Sequence, residues 1–243
     1  MDNRSTIEEK EMTFSKEIKE GTKKSHSAAE NTAFVKSFLR GVVSKDSYKV
    51  LVADLYFVYR TMEEEVRKLK DHPVVGKLNL PELERVNNLE RDLRYFYGPI
   101  WRGLIKPTEA CDRYCNRIIE VAKDEPELLV GHHYTRYLGD LSGGQILKNI
   151  AEKAMNLKDN QGLYFYDFDK IDNGKEYKTK YRSILDELPL TESQQNAIIV
   201  EANWAFRLNM YMFDQLQGNG FWSFIKMIIG FITSIINNWK RGT

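Results

Sequence analysis

Gly139, Gly143 and Gly144 lie within residues 127–154, ELLVGHHYTRYLGDLSGGQILKNIAEKA, whose two ends carry helical spacing. A glycine inside a helix costs about 0.5–1 kcal/mol relative to alanine, so three cost on the order of 2–3 kcal/mol, and something must offset that. Gly139 and Gly143 are four residues apart and share a helical face, where they leave the backbone bare. Bare backbone lets another body come very close. That body is either a neighbouring helix or a ligand; a simple kink is the third reading. Arg136, Asp140 and Lys148 exclude a membrane span here. Asp140 adjoins Gly139 and stands one turn from Arg136. It either holds water over whatever rests on the glycine shelf or is a solvated acid paired with Arg136.

The other candidates are histidines and cysteines. His26, His72, His132 and His133 form no His-x-x-x-His pair, and no Glu-x-x-His or Cys-x-x-Cys occurs. Those absences argue against a zinc site and a di-iron carboxylate bundle. Cys111 and Cys115 read as packing residues. His26 sits in KEIKEGTKKSHSAAE, residues 16–30, with Thr22 one turn before it, Glu30 one turn after, and small Ala29 and Ala33 on its face. It is either structural or the axial ligand of a planar macrocycle, with Glu30 orienting the ring from behind.

These groups need a helical scaffold, and the chain supplies one. Apolar residues at Leu51, Leu55, Val58, Met62, Val66 and Leu69 mark one helix face, and Ile198, Ala202, Ala205, Leu208, Met212 and Leu216 mark another. Thr191 with Gln194 forms a capping-box pattern, and Pro107-Thr108-Glu109 a helix entry. Tyr164–Phe168 is read as an irregular aromatic connection. The expectation is one all-α domain of about eight helices.

Of 243 residues, 42% are hydrophobic, enough for a packed core, and 36 Lys and Arg against 35 Asp and Glu give a net charge of +1. That balance argues against binding nucleic acid by bulk electrostatics. Two cysteines exclude a disulfide scaffold and suit a reducing compartment. Met1–Glu20 lacks the apolar core of a secretory leader. Residues 221–239 read as an amphipathic apolar helix that docks on the body, pairs with another chain or lies on a membrane surface. The expected division is an extension over 1–13, the main domain over 14–217 and this helix within 218–243.

The YLGDLSGGQ core within Glu127–Gly144, together with KKSHSAAEN from Lys23 to Asn31, closely resembles the heme oxygenase family. The similarity continues through Leu55-Tyr56, Glu63–Glu65, Leu93–Pro99, Tyr177–Arg182 and Phe206–Asn209, covers about 14–217, and is strongest to the soluble cyanobacterial and plastid-type enzymes. The resemblance implies heme sandwiched between a proximal and a distal helix, as both cofactor and substrate. Heme would be opened with O2 and external electrons to biliverdin, carbon monoxide and ferrous iron. The alternative is a non-catalytic heme-binding protein on the same fold.

By that resemblance His26 is the iron ligand and Gly139, Ser142, Gly143 and Gly144 belong to the distal cover. Tyr134, Arg136 and Asp140 match the distal hydrogen-bonding set, with Asp140 organising the water that delivers a proton. Lys19, Lys178 and Arg182 match propionate-holding positions, and Thr22, Glu30, Phe206 and Asn209 match pocket positions. A basic rim of Lys19, Lys23, Lys24, Lys178, Lys180 and Arg182 would attract an acidic donor such as ferredoxin. The implied location is cytoplasm or plastid stroma, with membrane-surface contact through 221–239. Gly131 and His133 depart from the family pattern, which has Ala and a small or hydroxyl residue there; His133 either titrates near the pocket mouth or points outward.

Overall fold

A computed structural model describes residues 12–42 and 44–239, with side chains as far as Leu216. Among the described residues there is no strand, and ten α-helical segments follow one another: α1 (Phe14–Glu30), α2 (Ala33–Leu39), α3 (Lys45–Lys68), α4 (Val86–Tyr97), α5 (Trp101–Leu104), α6 (Glu109–Asp124), α7 (Leu129–His133), α8 (Gly139–Met155), α9 (Gly174–Asp186) and α10 (Glu192–Trp239). A π turn, Tyr134–Leu138, joins α7 to α8 without interruption. Taken as one helix, that stretch brings the number to nine, close to the eight expected.

Local side-chain caps explain half of the helix starts. Ser44 Oγ accepts from Ser47 N at the head of α3, and Thr108 Oγ1 accepts from Cys111 N at the head of α6. The capping box at α10 closes in both directions: Gln194 N donates to Thr191 Oγ1 and Thr191 N donates to Gln194 Oε1. Helix α1 is capped from outside, because Asp186 of α9 accepts from Ser15 N at 2.7 Å and from Ser15 Oγ at 3.1 Å.

The apolar face of α3 packs on α4 and α6, and α10 runs past α1, α6 and α7. Val58, Met62, Ile118, Leu129, Ile198 and Leu208 are fully buried in the resulting core. Cys111 and Cys115 are part of that packing, as expected. Tyr164–Tyr166 forms a single 3-10 turn rather than a strand. Asp92 holds this turn by accepting from Tyr164 N and Phe165 N at 2.9 and 2.8 Å.

Helix α10 continues unbroken through residues 217–239, but the side chains there lie outside the described residues, so the amphipathic face expected for the tail does too. The same holds for residues 1–11 of the expected extension. Among the described residues, no helix is long and apolar enough to cross a membrane.

Candidate active site

Helix α1 packs on α9 and α10, whereas α8 rests on α2 and the Tyr164–Tyr166 turn. Between α1 and the continuous helix over residues 129–155, the distal helix, a groove of about 360 Å³ remains. That volume falls within the roughly 300–1,000 Å³ of ligand clefts. His26, Thr22 and Lys19 border it from α1, Tyr134, Gly139 and Ser142 from the distal helix, and Arg182 and Phe206 from α9 and α10.

The glycine question is decided by space. A Cβ added at Gly139 or at Gly143 would meet nothing within 4 Å, so no neighbouring helix occupies that face. Gly139 has ordinary helical angles, φ −62° and ψ −50°, and is not needed for a kink. Gly144 faces the other way, where a Cβ would lie 3.5 Å from Tyr166 Cδ1. The tight helix contact belongs instead to Gly131, where a Cβ would stand 2.8 Å from Ala202 N and 2.9 Å from Ile198 O of α10. The departure at Gly131 therefore has a structural cause.

Across the groove the His26 side chain is 56% exposed, its ring meets Phe206 edge-on at 5.8 Å, and Nδ1 lies 3.7 Å from Glu30 Oε1. Glu30 thus stands behind the ring, just beyond hydrogen-bond length. Arg182 donates to Lys178 O at 3.4 Å, which places the two cations one turn apart on α9; only Arg182 borders the groove.

Asp140 is not a solvated surface acid. Its side chain is 14% exposed and that of Arg136 10%. Their closest approach is 3.7 Å, so the pairing is real but loose. Asp140 Oδ2 accepts from the Tyr59 hydroxyl, Arg136 Nε donates to the same hydroxyl at 3.1 Å, and Arg136 Nη1 donates to Asn209 Oδ1. Burial pushes the Asp140 carboxyl up, against the pull of Arg136, Tyr59 and Arg85. Asn209 is therefore a buried support of Arg136 rather than a groove wall.

Sequence reasoning missed Tyr59. The signal was present, since Tyr59 follows Val58 on the buried stripe of α3 and a buried hydroxyl needs a partner. His133 neither borders the groove mouth nor points outward. It is 3% exposed, shares a hydrogen bond of 2.8 Å with the Tyr181 hydroxyl and stacks on that ring. Burial pushes its imidazole down to about 3, so it stays neutral. Of the expected basic rim, Lys19, Lys23 and Arg182 border the groove, Lys24 borders a separate hollow against α10, and Lys180 pairs with Glu82 at 3.2 Å.

A family model described as "Heme oxygenase" matches residues 12–215. The chain belongs to the heme oxygenase family. It is 50% identical over 227 residues to a heme oxygenase of Porphyra purpurea, covering 93% of this chain and 94% of that protein. It is 54% identical over 202 residues to heme oxygenase 1 of Nostoc, covering 83% and 85%. The crystal structure of heme oxygenase-1 from Synechocystis in complex with heme superposes with a TM-score of 0.86 at 50% identity, covering 91% of this chain and 100% of that one. These relatives are cyanobacterial and algal, in keeping with the branch read from the sequence.

Proposed function

We propose that the groove between α1 and the distal helix is where this heme oxygenase opens heme to biliverdin, carbon monoxide and ferrous iron. The observation that carries this reading is the open face of Gly139 in the groove that His26 borders, with Gly143, one turn on, equally open. A flat macrocycle fits a slot with one imidazole below and backbone without side chains above. Heme supplies the iron that activates O2 and is itself the substrate.

Every other role falls to the chain. His26 would hold the heme iron through its imidazole, with Glu30 behind the ring. Gly139 and Gly143 bring the backbone close enough to crowd whatever binds on the distal side, and Ser142 and Gly144 complete that turn. Asp140, held by Tyr59 and Arg136 with Asn209 behind, keeps a proton within reach of the groove through water. Lys19 and Arg182 at the groove, with Lys178 one turn from Arg182, would supply positive charge for the carboxylates of heme. Tyr134, Thr22 and Phe206 form the walls. No Asp140 counterpart is needed merely to hold heme, which favours catalysis over storage. The catalytic body spans 14–217.

Electrons come from an acidic donor such as ferredoxin, drawn to Lys19, Lys23 and Arg182; that reduction should slow as ionic strength rises. The cyanobacterial and algal relatives support a cytoplasmic or plastid location, and the apolar sequence of 221–239 supports contact with a membrane surface.

Asp140→Ala is the test. The variant should keep the Soret band of added hemin and lose biliverdin formation under O2 and reductant. Biliverdin at the wild-type rate would remove Asp140 from the chemistry, and no Soret band in the wild-type protein would remove the function altogether.

A further inference from the structure

The distal helix has a second face. At roughly 100° per residue, Gly144, Gln145 and Lys148 lie about opposite Gly139, Ser142 and Gly143 on α8. Gly139 and Ser142 border the groove, whereas the other face meets the Tyr164–Tyr166 turn and the Asp167 that follows it. Gln145 Nε2 donates to Tyr166 O at 3.0 Å, and Lys148 Nζ donates to Asp167 Oδ1 at 2.5 Å. Buried Gly144 sits beside these contacts, close against the Tyr166 ring.

The turn is tied to the core from several sides. Buried Asp92 of α4 accepts from Tyr164 N and Phe165 N. Buried Arg85 donates to Phe165 O at 3.2 Å and to Asp167 O, and its guanidinium lies 3.8 Å over the Phe168 ring. Asn88 Nδ2 donates to Asp167 O at 3.0 Å, and the Phe165 ring packs 5.6 Å from that of Tyr59 on α3. Bonds made by buried groups are the costly ones to lose, so the turn is fixed to α3 and α4. The Lys148–Asp167 pair joins α8 to that fixed point. Its side chains are only 21% and 22% exposed, and Asn160 Nδ2 holds the second oxygen of Asp167, so the pair is stronger than an ordinary surface ion pair.

We propose that residues 164–167 brace the distal helix from behind and so set its distance from α1, with Gln145 and Lys148 as the positioning residues through which the brace acts. The inference rests on the reading of the groove as the heme site. Backbone without side chains cannot adjust its reach by changing rotamer, so the spacing of the glycine shelf is the spacing of the whole helix. The glycines that open the front of α8 also weaken it as a helix. The contacts behind it supply the stiffness that the front lacks. Neither Gln145, Lys148 nor Asp167 borders the groove, so each acts on the site only through the position of α8. That position matters, because a misplacement of about 1 Å at a reacting centre can cost on the order of a hundredfold in rate.

Gln145→Ala and Lys148→Met, made together, test the brace. Both replacements keep good helix preference, so α8 still forms. In the apoprotein, amide hydrogen exchange over residues 139–150 should speed up about tenfold, the order of one hydrogen bond to a charged group, while α3 and α6 exchange as before. With hemin added, the Soret band should form, hemin should leave about tenfold faster, and biliverdin formation should slow. Lys148→Asp alone should act in the same direction, and adding Asp167→Lys, which restores the pair with its charges exchanged, should bring local exchange and hemin release back toward wild type. Unchanged exchange over 139–150 in the double variant overturns the brace. So does a rise shared equally by α3 and α6, which is a loss of global stability, and so does a charge exchange that fails to rescue. A wild-type protein that gives no Soret band removes the heme reading and this inference with it. A normal Soret band beside unaltered local exchange removes the brace alone.

Discussion

Replacing Gly139 by alanine should make the protein harder to melt and worse at holding heme. The backbone angles at Gly139 are helical, and an added Cβ meets no atom within 4 Å. Alanine therefore gains about 0.5–1 kcal/mol of helix preference with no packing cost. At roughly 2–4 °C per kcal/mol for a chain of this size, the apoprotein should melt about 1–4 °C higher. The same methyl stands in the groove, on the surface that faces His26. Overpacking costs about 1–3 kcal/mol, so hemin should bind about 5- to 150-fold more weakly. Gly131→Ala is the control of opposite sign, because its Cβ would sit 2.8 Å from Ala202 N and 2.9 Å from Ile198 O, backbone atoms that cannot turn aside. It should lower the melting temperature by several degrees while leaving the groove surface intact. Calorimetry of the apoproteins and absorbance titration with hemin measure both effects. A Gly139→Ala protein that melts no higher, or melts higher and binds hemin as before, would refute the reading of that bare backbone.

Acid should weaken the protein through Glu201, which His132 and Arg117 hold at 2.9 and 2.7 Å. Burial pushes its carboxyl up, but these partners outweigh it and bring it down to about 2. A depressed acid stabilises above its unfolded value, so on the order of 3 kcal/mol should be lost as pH falls from about 4.5 to about 2, and Glu201→Gln should flatten that part of the urea-denaturation profile. His133→Phe should cost about 1–3 kcal/mol by leaving the Tyr181 hydroxyl unpaired, yet leave the pH dependence of turnover unchanged, because His133 is neutral throughout that range. A chain ending at Gln217 should keep wild-type turnover, since Leu216 is 2% exposed and Gln215 still accepts from Ala110 N at the head of α6. One ending at Phe213 should melt lower by circular dichroism, having lost both contacts.

The helices were legible because their signals are local. The α3 stripe, the Thr108 cap and the Thr191–Gln194 box each lie within a turn or a few turns of chain, and the expected elements formed there. The glycine shelf was legible as an anomaly, a cost needing a cause, although the sequence left the cause open. What stayed hidden depends on distant partners. Tyr59 finds Asp140 across 81 residues, and His133 finds Tyr181 across 48. Gly131 is tight only because α10 passes it, and nothing within α7 announces that approach.

The π turn over Tyr134–Leu138 sets which way everything after it points. A π turn acts as one residue inserted into an α-helix, and each residue advances the helix by roughly 100°. Because the wider turn takes up that extra residue, deleting one residue between 134 and 138 should leave Gly139 on the groove, whereas inserting one more would swing it by roughly 100°. The stretch should therefore tolerate the loss of a residue better than the gain of one, provided Tyr134 and Arg136 keep their places.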